Sequence, residues 1–574
     1  VSGWRVRSLV VGTLAALVGC SLLFRPFASL TVLLVLVVVG LLVMAGDRFP
    51  AAERPRKPLD LLPAAAYALA ALAVVLWPGS AVVVVVWVVA ASLVVDGAVA
   101  LVHAVRERGP GRLTAAVRGV AGIILGVLAV SWPDVASIVV AVVFGVRLLW
   151  TGLELLWHGA RGRVGDTADD RPHPWWRRSL SFVVAVAALV LAVGLAGVGS
   201  VVARSTPVPD DFYAAPPEVP SEPGQLLRTE GFDRAVPDGA TARRILYTTT
   251  ALGDEPALAS AIVVVPDDAG DGPVPLVAWA HGTTGVAEGC APSLLDEPFE
   301  SGALFILEDT IDKGWAVVAT DYVGLGTEGP HGYLVGEPAG HAVLDSIRAA
   351  RQVEGLDLSD QSVVWGHSQG GHAALWAGTL ADDYAPDAGV VGVAAAAPAS
   401  NLTGLVANLD EVPGGAIFAS YVVDGYARTY DDVRARDYVR GAAEVQMREI
   451  ATRCLSGPGA LLNVLSTLVQ DTSPIDTDPT TGALGARLAE NIPTDPIEPP
   501  LLIAQGETDP LVIPSAQQEY ADQRCAVDGG PVDYRTYPDR DHVGVVAADS
   551  PYVPDLLEWT EQRLTGEPAP DSCP

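Results

Sequence analysis

Val363-Val-Trp-Gly-His-Ser-Gln-Gly-Gly-His-Ala-Ala-Leu-Trp376 is the stretch that decides the reading of this chain. Its first residues are β-branched and aromatic, as a strand prefers, and His372-Ala-Ala-Leu-Trp-Ala-Gly378 reads as a helix. Between them Gly366-His-Ser-Gln-Gly370 makes a sharp turn with a serine at its apex. A turn this tight forces the Ser368 backbone into a strained conformation, and side chains at 366 and 370 would obstruct the strand and helix beside it. Glycines at both positions make Ser368 a candidate nucleophile presented at the end of a strand.

Working outward, short β-branched runs alternate with helical patterns from Arg243 onward, which predicts a largely parallel sheet with crossover helices, an α/β-hydrolase arrangement. Strands are expected at 261–265, 276–280, 316–320, 362–365, 390–395, 501–505 and 533–537. That arrangement places a histidine base after the last strand, and only His372 and His542 follow Ser368. His372 sits one turn into the serine's own helix, so His542, in Asp539-Arg-Asp-His-Val-Gly544, is the candidate base. Asp509, in Gln505-Gly-Glu-Thr-Asp-Pro510, follows the penultimate strand and is the candidate orienting acid, with Glu507 and Asp495 as rivals. Asp541 is too close in sequence to reach the His542 ring nitrogen readily, so it and Asp539 read as solvated loop charges. His281-Gly-Thr-Thr-Gly285 follows the 276–280 strand and suits an oxyanion loop. The backbone N–H groups of Gln369 and Thr283 are the expected donors, with Gly282 a rival to Thr283.

The N-terminal part has a different character. Residues 1–204 hold 18 Lys and Arg against 10 Asp and Glu, leaving 18 against 57 for 205–574, net charges of +8 and -39. The acidic part repels phosphate backbones, which argues against a nucleic-acid partner. In the basic part, apolar runs at 9–24, 28–45, 61–77, 81–102, 116–131, 135–156 and 180–202 have the length a helix needs to cross a bilayer. Seven transmembrane helices are therefore expected, with Asp96 and Arg147 as charged exceptions inside them. Basic residues concentrate before the first span and after the second, fourth and sixth, which predicts a multi-pass plasma-membrane protein with a cytoplasmic N-terminus and an extracytoplasmic C-terminal domain. The first apolar run lacks a small-residue cleavage site and leads into another span, so no cleavable signal is expected. Cys290, Cys454, Cys525 and Cys573 form an even set in the exported part, open to three pairings or to free buried thiols, while Cys20 lies in a span. Residues 205–224, rich in proline and acidic side chains, read as an extended, semi-rigid linker.

Two resemblances add to this. Helix hairpins with turn prolines at Pro26, Pro78 and Pro133, about 53 residues apart, resemble the short repeat of the HdeD-like family over residues 1–158. Arg118-Gly-Val-Ala-Gly-Ile-Ile-Leu-Gly126 through Trp132-Pro133 carries that likeness best, and it implies no chemistry. Residues 220–574 resemble the secretory lipase family of α/β-hydrolases on His281-Gly-Thr-Thr-Gly285 with Cys290-Ala-Pro-Ser293, Asp321-Tyr-Val-Gly-Leu-Gly326, Gly366-His-Ser-Gln-Gly-Gly-His372, Thr508-Asp-Pro510 and Asp541-His542. That resemblance implies cleavage of carboxylic, triacylglycerol-type esters through an acyl-enzyme. It also implies disulfides Cys290–Cys454 and Cys525–Cys573, and a helical cap inserted at 401–495. Phe418, Tyr421, Tyr426 and Leu461-Leu-Asn-Val-Leu465 are candidates to line an acyl channel in that cap, or ordinary core residues. The expected organisation is a transmembrane bundle at 1–204, a linker at 205–224 and a lipase-like domain at 225–574 acting on a lipid or small ester. No metal or other cofactor is expected, and protein partners are left open. An acyltransferase or peptidase on the same residues, or a non-catalytic membrane receptor or transporter, are the alternatives.

Overall fold

The computed structural model describes residues 78–106, 111–132 and 175–574, apart from 269, 271, 442, 469–472 and 528, with isolated positions in 9–76 and 149–157. The expected spans at 9–24, 28–45, 61–77 and 135–156, and the Asp96 and Arg147 side chains, lie outside what is described continuously. The chain divides into two compact units. One is Val1–Arg204 with Val439–Glu449 and Val464–Pro474; the other is Ser205–Tyr438 with Ile450–Asn463 and Ile475–Pro574.

In the first unit, α1 (Pro78–Arg106), α2 (Arg112–Ser131) and α3 (Trp175–Ser205) are the long described helices. Pro78 opens α1, where its missing N–H costs nothing. Antiparallel α1 and α2 meet through small residues. A Cβ on Gly97 would lie 2.7 Å from the Gly119 carbonyl oxygen, and one on Gly126 would lie 2.8 Å from that of Ala90. Side chains larger than glycine would hold these backbones apart. Among the described residues, two stretches are long and apolar enough to cross a membrane, Arg112–Ser131 and Phe182–Val201.

The second unit is built on a nine-stranded sheet: β1 (Leu226–Phe232), β2 (Ala240–Thr250), β3 (Pro256–Pro266), β4 (Val274–Ala280), β5 (Ala316–Thr320), β6 (Leu358–His367), β7 (Val390–Ala396), β8 (Leu501–Gly506) and β9 (Val532–Tyr537). Their order across the sheet is β1-β2-β3-β5-β4-β6-β7-β8-β9. β1 to β3 and the β3–β5 pair are antiparallel, and every other pair is parallel. This is the mostly parallel sheet of an α/β-hydrolase. β1 and β2 fall outside the expected strand set, because the edge strand carries Arg228, Thr229 and Glu230 and its partner carries Arg243 and Arg244, which dilute the apolar signal.

Successive residues of the central strands point to opposite faces. Leu276, Ala278 and Ala280 join one core with Ala342 and Ile347 of α4 (Gly336–Ala350), Ala373 and Ala377 of α5 (Gln369–Tyr384), and Tyr520. Val277 and Trp279 join the other with Trp365, Leu556 and Trp559. Both faces are covered, as a parallel sheet requires. The strands therefore end in loops at one rim, where Ala280, His367 and Gly506 deliver the candidate residues.

Residues 205–224 are not a free spacer. Phe212 and Tyr213 are buried, the Tyr213 hydroxyl lies 2.8 Å from Ser293 Oγ, and the Gly224 N–H donates to the Thr248 carbonyl at 2.7 Å. Two adjacent aromatics are enough to anchor the segment, which its proline-rich, acidic composition obscures. In the 401–495 insertion, α6 (Leu402–Asn408), α7 (Gly415–Thr429) and α8 (Gly482–Glu490) belong to the second unit. Tyr421 and Tyr426 of α7 are fully buried, their hydroxyls donating to the Arg453 and Leu334 carbonyls, so they act as core rather than channel wall. Leu461 and Leu465 are exposed.

Candidate active site

The turn between β6 and α5 holds Ser368 at φ 57°, ψ -116°, a region that side chains rarely adopt. The glycines around it are sterically required. A Cβ at Gly366 would lie 2.0 Å from the Gly370 carbonyl oxygen, and one at Gly370 only 1.9 Å from that of Ala280. The strained turn aims Ser368 Oγ off the rim of the sheet.

His542 follows β9 and reaches that point. Its Nε2 is 2.8 Å from Ser368 Oγ, and its Nδ1 is 2.8 Å from Asp509 Oδ2. Asp509 follows β8 and is buried; its Oδ1 accepts from the Leu511 and Val512 N–H groups at 2.8 and 2.9 Å, and Gln505 Nε2 donates to Oδ2 at 3.2 Å. A carboxylate fixed by three donors leaves His542 one tautomer, with the proton on Nδ1 and a lone pair on Nε2 facing the serine. The rivals lie elsewhere. Glu507 accepts from Thr536 Oγ1 at 3.0 Å on the surface, and Asp495 is exposed. Asp541 accepts from the Gly544 N–H within its own turn.

Gln369 is the first residue of α5, so its N–H has no acceptor within the helix. Across from it, the Gly282 N–H donates to the Gly302 carbonyl at 2.9 Å and is spent, whereas the Thr283 N–H has no acceptor among the described residues. Of the two candidates in the loop, Thr283 is thus the one whose N–H is free. The Cys290–Cys454 disulfide stands beside this loop: a Cβ on Gly285 would lie 2.7 Å from Cys290 Sγ, and the Leu455 N–H donates to the Thr284 carbonyl at 2.7 Å. Cys525 pairs with Cys573, so both bridges follow the pairing that the resemblance implies.

Three further residues were given no role in the sequence reading, His367 inside the Gly366–Gly370 motif and two outside any motif. His367 donates from Nε2 to the His542 carbonyl at 2.8 Å, with the two rings 4.9 Å apart. Burial, with His542 beside it, lowers its pKa to about 3. His331 and Tyr333 contact Gln369 and Thr283 from a separate loop. Only adjacency to Ser368 could have flagged His367, and no spacing rule reaches the other two. Asp321, buried at the end of β5, accepts from Ser260 Oγ and from the Ser293 N–H and Oγ, tying the Cys290-Ala-Pro-Ser293 segment down. Burial raises its pKa to about 6 against those hydrogen bonds.

The chain is similar to known lipases over this region. Residues 301–572 match the secretory lipase family, and residues 62–116 and 117–197 match a short repeat of unknown function. A probable inactive lipase of Mycobacterium tuberculosis is 29% identical, over 64% of this chain and 84% of that protein. Lipase 6 of Candida albicans is 25% identical, over 64% of this chain and 83% of its own. Among solved structures, lipase A of Candida antarctica in its closed state superposes with a TM-score of 0.55 at 22% identity, over 63% of this chain and 87% of that one, a likeness of fold. Residues 301–572 are thus a secretory-lipase segment on an α/β-hydrolase sheet, and the chain is a lipase-like carboxylic ester hydrolase.

Proposed function

We propose that this chain is a membrane-anchored serine esterase in which Ser368 is the nucleophile, His542 the general base and Asp509 its orienting acid, acting outside the membrane on lipid esters. The observation that carries the reading is the unbroken hydrogen-bonded run from Asp509 through His542 to Ser368, 2.8 Å at each link. One relative is named a probable inactive lipase. Here a nucleophile, a base in the required tautomer and a buried acid all stand within contact, which supports turnover.

His542 Nε2 takes the Ser368 proton as Oγ attacks the ester carbonyl. The new charge sits on the carbonyl oxygen, facing the Gln369 and Thr283 N–H groups. His542 then gives its proton to the leaving alcohol, and water repeats the sequence on the acyl-enzyme. Each oxyanion donor is worth about 3 to 4 kcal/mol of transition-state stabilisation. Anchoring is supported by the apolar helices at Arg112–Ser131 and Phe182–Val201 and by the alternation of basic residues between apolar runs.

A membrane-impermeant fluorophosphonate probe applied to intact cells tests both parts. Wild type is expected to be labelled, and Ser368→Ala to lose labelling and hydrolysis of p-nitrophenyl esters while keeping its unfolding midpoint. A labelled Ser368→Ala chain would refute the nucleophile. Labelling only after lysis would refute the outward placement.

A further inference from the structure

The residues assigned to the oxyanion are themselves gripped by a turn that no motif contains. His331-Gly-Tyr333 precedes α4, and both rings are buried, 4% exposed each. His331 donates from Nδ1 to the Val323 carbonyl at 3.0 Å, which leaves its Nε2 a lone pair, and the Gln369 side-chain Nε2 donates to that lone pair at 3.0 Å. The Tyr333 hydroxyl lies 2.9 Å from Thr283 Oγ1. One short turn therefore holds the side chains of both residues whose backbone N–H groups face the developing charge.

The turn is fixed on its other sides. The His331 ring stacks on Tyr322 at 6.0 Å, and Tyr333 meets Tyr421 of α7 edge-on at 5.9 Å. A Cβ on Gly324, at φ +79°, would lie 2.4 Å from the His331 nitrogen, and one on Gly425 of α7 would lie 3.0 Å from the Tyr333 backbone. Backbone from the loop after β5 and from the cap thus clamps the turn. The Gln369 side-chain oxygen is buried with no partner among the described residues, so the bond to His331 is the amide's one hydrogen-bonded hold there. Burial lowers the His331 pKa to about 4, which keeps Nε2 an acceptor at neutral pH.

We propose that His331 and Tyr333 are positioning residues that set the two oxyanion donors, His331 through Gln369 and Tyr333 through Thr283. The proposal rests on the triad and oxyanion reading given above. Its chemical basis is that donors must lie within a few tenths of an ångström of their ideal distance, and a misplacement of about 1 Å costs roughly 100-fold in rate.

The test uses the full chain with His331→Phe, which keeps the ring but removes the acceptor, and Tyr333→Phe, which removes one hydroxyl. Three quantities are read: kcat and KM for p-nitrophenyl butyrate, and Ki for a trifluoromethyl ketone whose serine adduct carries the oxyanion. Each variant is expected to lose roughly 10-fold or more in kcat, with Ki rising by a similar factor and KM within about twofold. Adding His331→Phe to Gln369→Ala is expected to cost little more than Gln369→Ala alone, because the two act through one contact. Unchanged kcat and Ki in Tyr333→Phe and His331→Phe, or losses that add fully with Gln369→Ala, would overturn the proposal. If His331→Phe does not fold, Tyr333→Phe decides by itself. A wild-type chain that neither turns over nor takes a fluorophosphonate sinks the underlying catalytic reading instead, which separates the two failures.

Discussion

Asp509→Asn changes one atom and inverts the proton arrangement of the whole site. In the native structure Asp509 Oδ1 accepts from the Leu511 and Val512 N–H groups at 2.8 and 2.9 Å, and Oδ2 accepts from His542 Nδ1 at 2.8 Å. An asparagine must keep its single oxygen on the two backbone donors, since the reverse rotamer would set its NH2 against both of them. The NH2 then faces His542 and needs an acceptor, so the imidazole proton moves from Nδ1 to Nε2. At 2.8 Å from Ser368 Oγ, that nitrogen now donates to the serine instead of taking its proton. The same tautomer error in a serine protease triad costs about 10⁴-fold in kcat, roughly 5.5 kcal/mol of barrier. The new NH2 also meets Gln505 Nε2, which donated to the lost oxygen at 3.2 Å, so stability should drop by about 1 to 3 kcal/mol. Steady-state hydrolysis of p-nitrophenyl butyrate and the rate of fluorophosphonate labelling measure the first effect, and urea midpoints the second. Glu507→Gln serves as the control and should stay within about twofold of wild type, because the Glu507 carboxylate binds Thr536 at the surface, away from His542. Asp509→Asn within tenfold of wild type in both kinetic assays would show that Asp509 does not set the tautomer.

Three further outcomes follow from packing, covalent links and buried charge. Gly370→Ala places a Cβ 1.9 Å from the Ala280 carbonyl oxygen, where real contacts exceed 3.0 Å, so the elbow must shift by about 1 Å. kcat should fall roughly 100-fold, and wild-type kinetics in this variant would contradict the steric account. The Cys290–Cys454 bridge closes a separation of 164 residues and Cys525–Cys573 one of 48, so chain entropy predicts losses of about 5 and 4 kcal/mol on removal. Only the double serine variant of the first pair should also lower kcat, since that bridge touches the oxyanion loop; equal kcat in the two double variants would refute this. Burial holds His281, His331 and His372 at pKa values of about 4, below the usual 6.5 of an unfolded chain. Their contribution is complete above pH 6.5 and is lost as pH falls toward 4, on the order of 3 kcal/mol each. Asp321, raised to about 6, works the opposite way, its share being present at low pH and lost as pH rises through 6. Burial also lowers His367, to about 3, and His341, and it raises Asp345 and Glu337. Five histidines outweigh three carboxyls, so urea midpoints should fall from pH 6.5 to 4.5, and a flat or rising profile would count against the buried neutral rings.

The parts legible in the sequence are those whose chemistry is local. Ser368 declared itself because a tight turn needs glycine on both sides and a strand before it. His542 could be chosen by elimination and Asp509 by its place after the penultimate strand, with Glu507 and Asp495 left as rivals, since strand order fixes which loops return to the rim. The oxyanion loop was found and Thr283 was expected as its donor with Gly282 as a rival, but what separates the two, a hydrogen bond from Gly282 to Gly302, comes from a distant turn and has no sequence signal. β1 escaped because an edge strand tolerates arginine and glutamate on its solvent side, and β2 because Arg243 and Arg244 interrupt its apolar run. Residues 205–224 were read as a spacer because proline and acidic content dominate, whereas Phe212 and Tyr213 decide where the segment lies. His331 and Tyr333 had no sequence signal at all, since their partners Gln369 and Thr283 belong to other strands' loops.

The buried histidines also bear on how the site works. During acylation one positive charge must form, on His542, whose side chain is 14% exposed. A second charge on His367, with ring centroids 4.9 Å apart, would oppose it by roughly 3 kcal/mol at an effective dielectric near 20. The structure removes that penalty by keeping His367 neutral. Its Nε2–H is committed to the His542 carbonyl and its Nδ1 has no partner among the described residues, so burial outweighs the pull of the Asp509 carboxylate for a second proton. His281 and His331 are held neutral by the same burial. Desolvation that weakens the fold in acid thus leaves His542 free of competing cations, so the two effects should separate. Filling the His367 site with an uncharged ring, as in His367→Phe, should relieve part of the acid sensitivity while costing kcat only through the lost hold on the His542 carbonyl. A His367→Phe chain as acid-sensitive as wild type would break the link between burial of these rings and the pH dependence of stability.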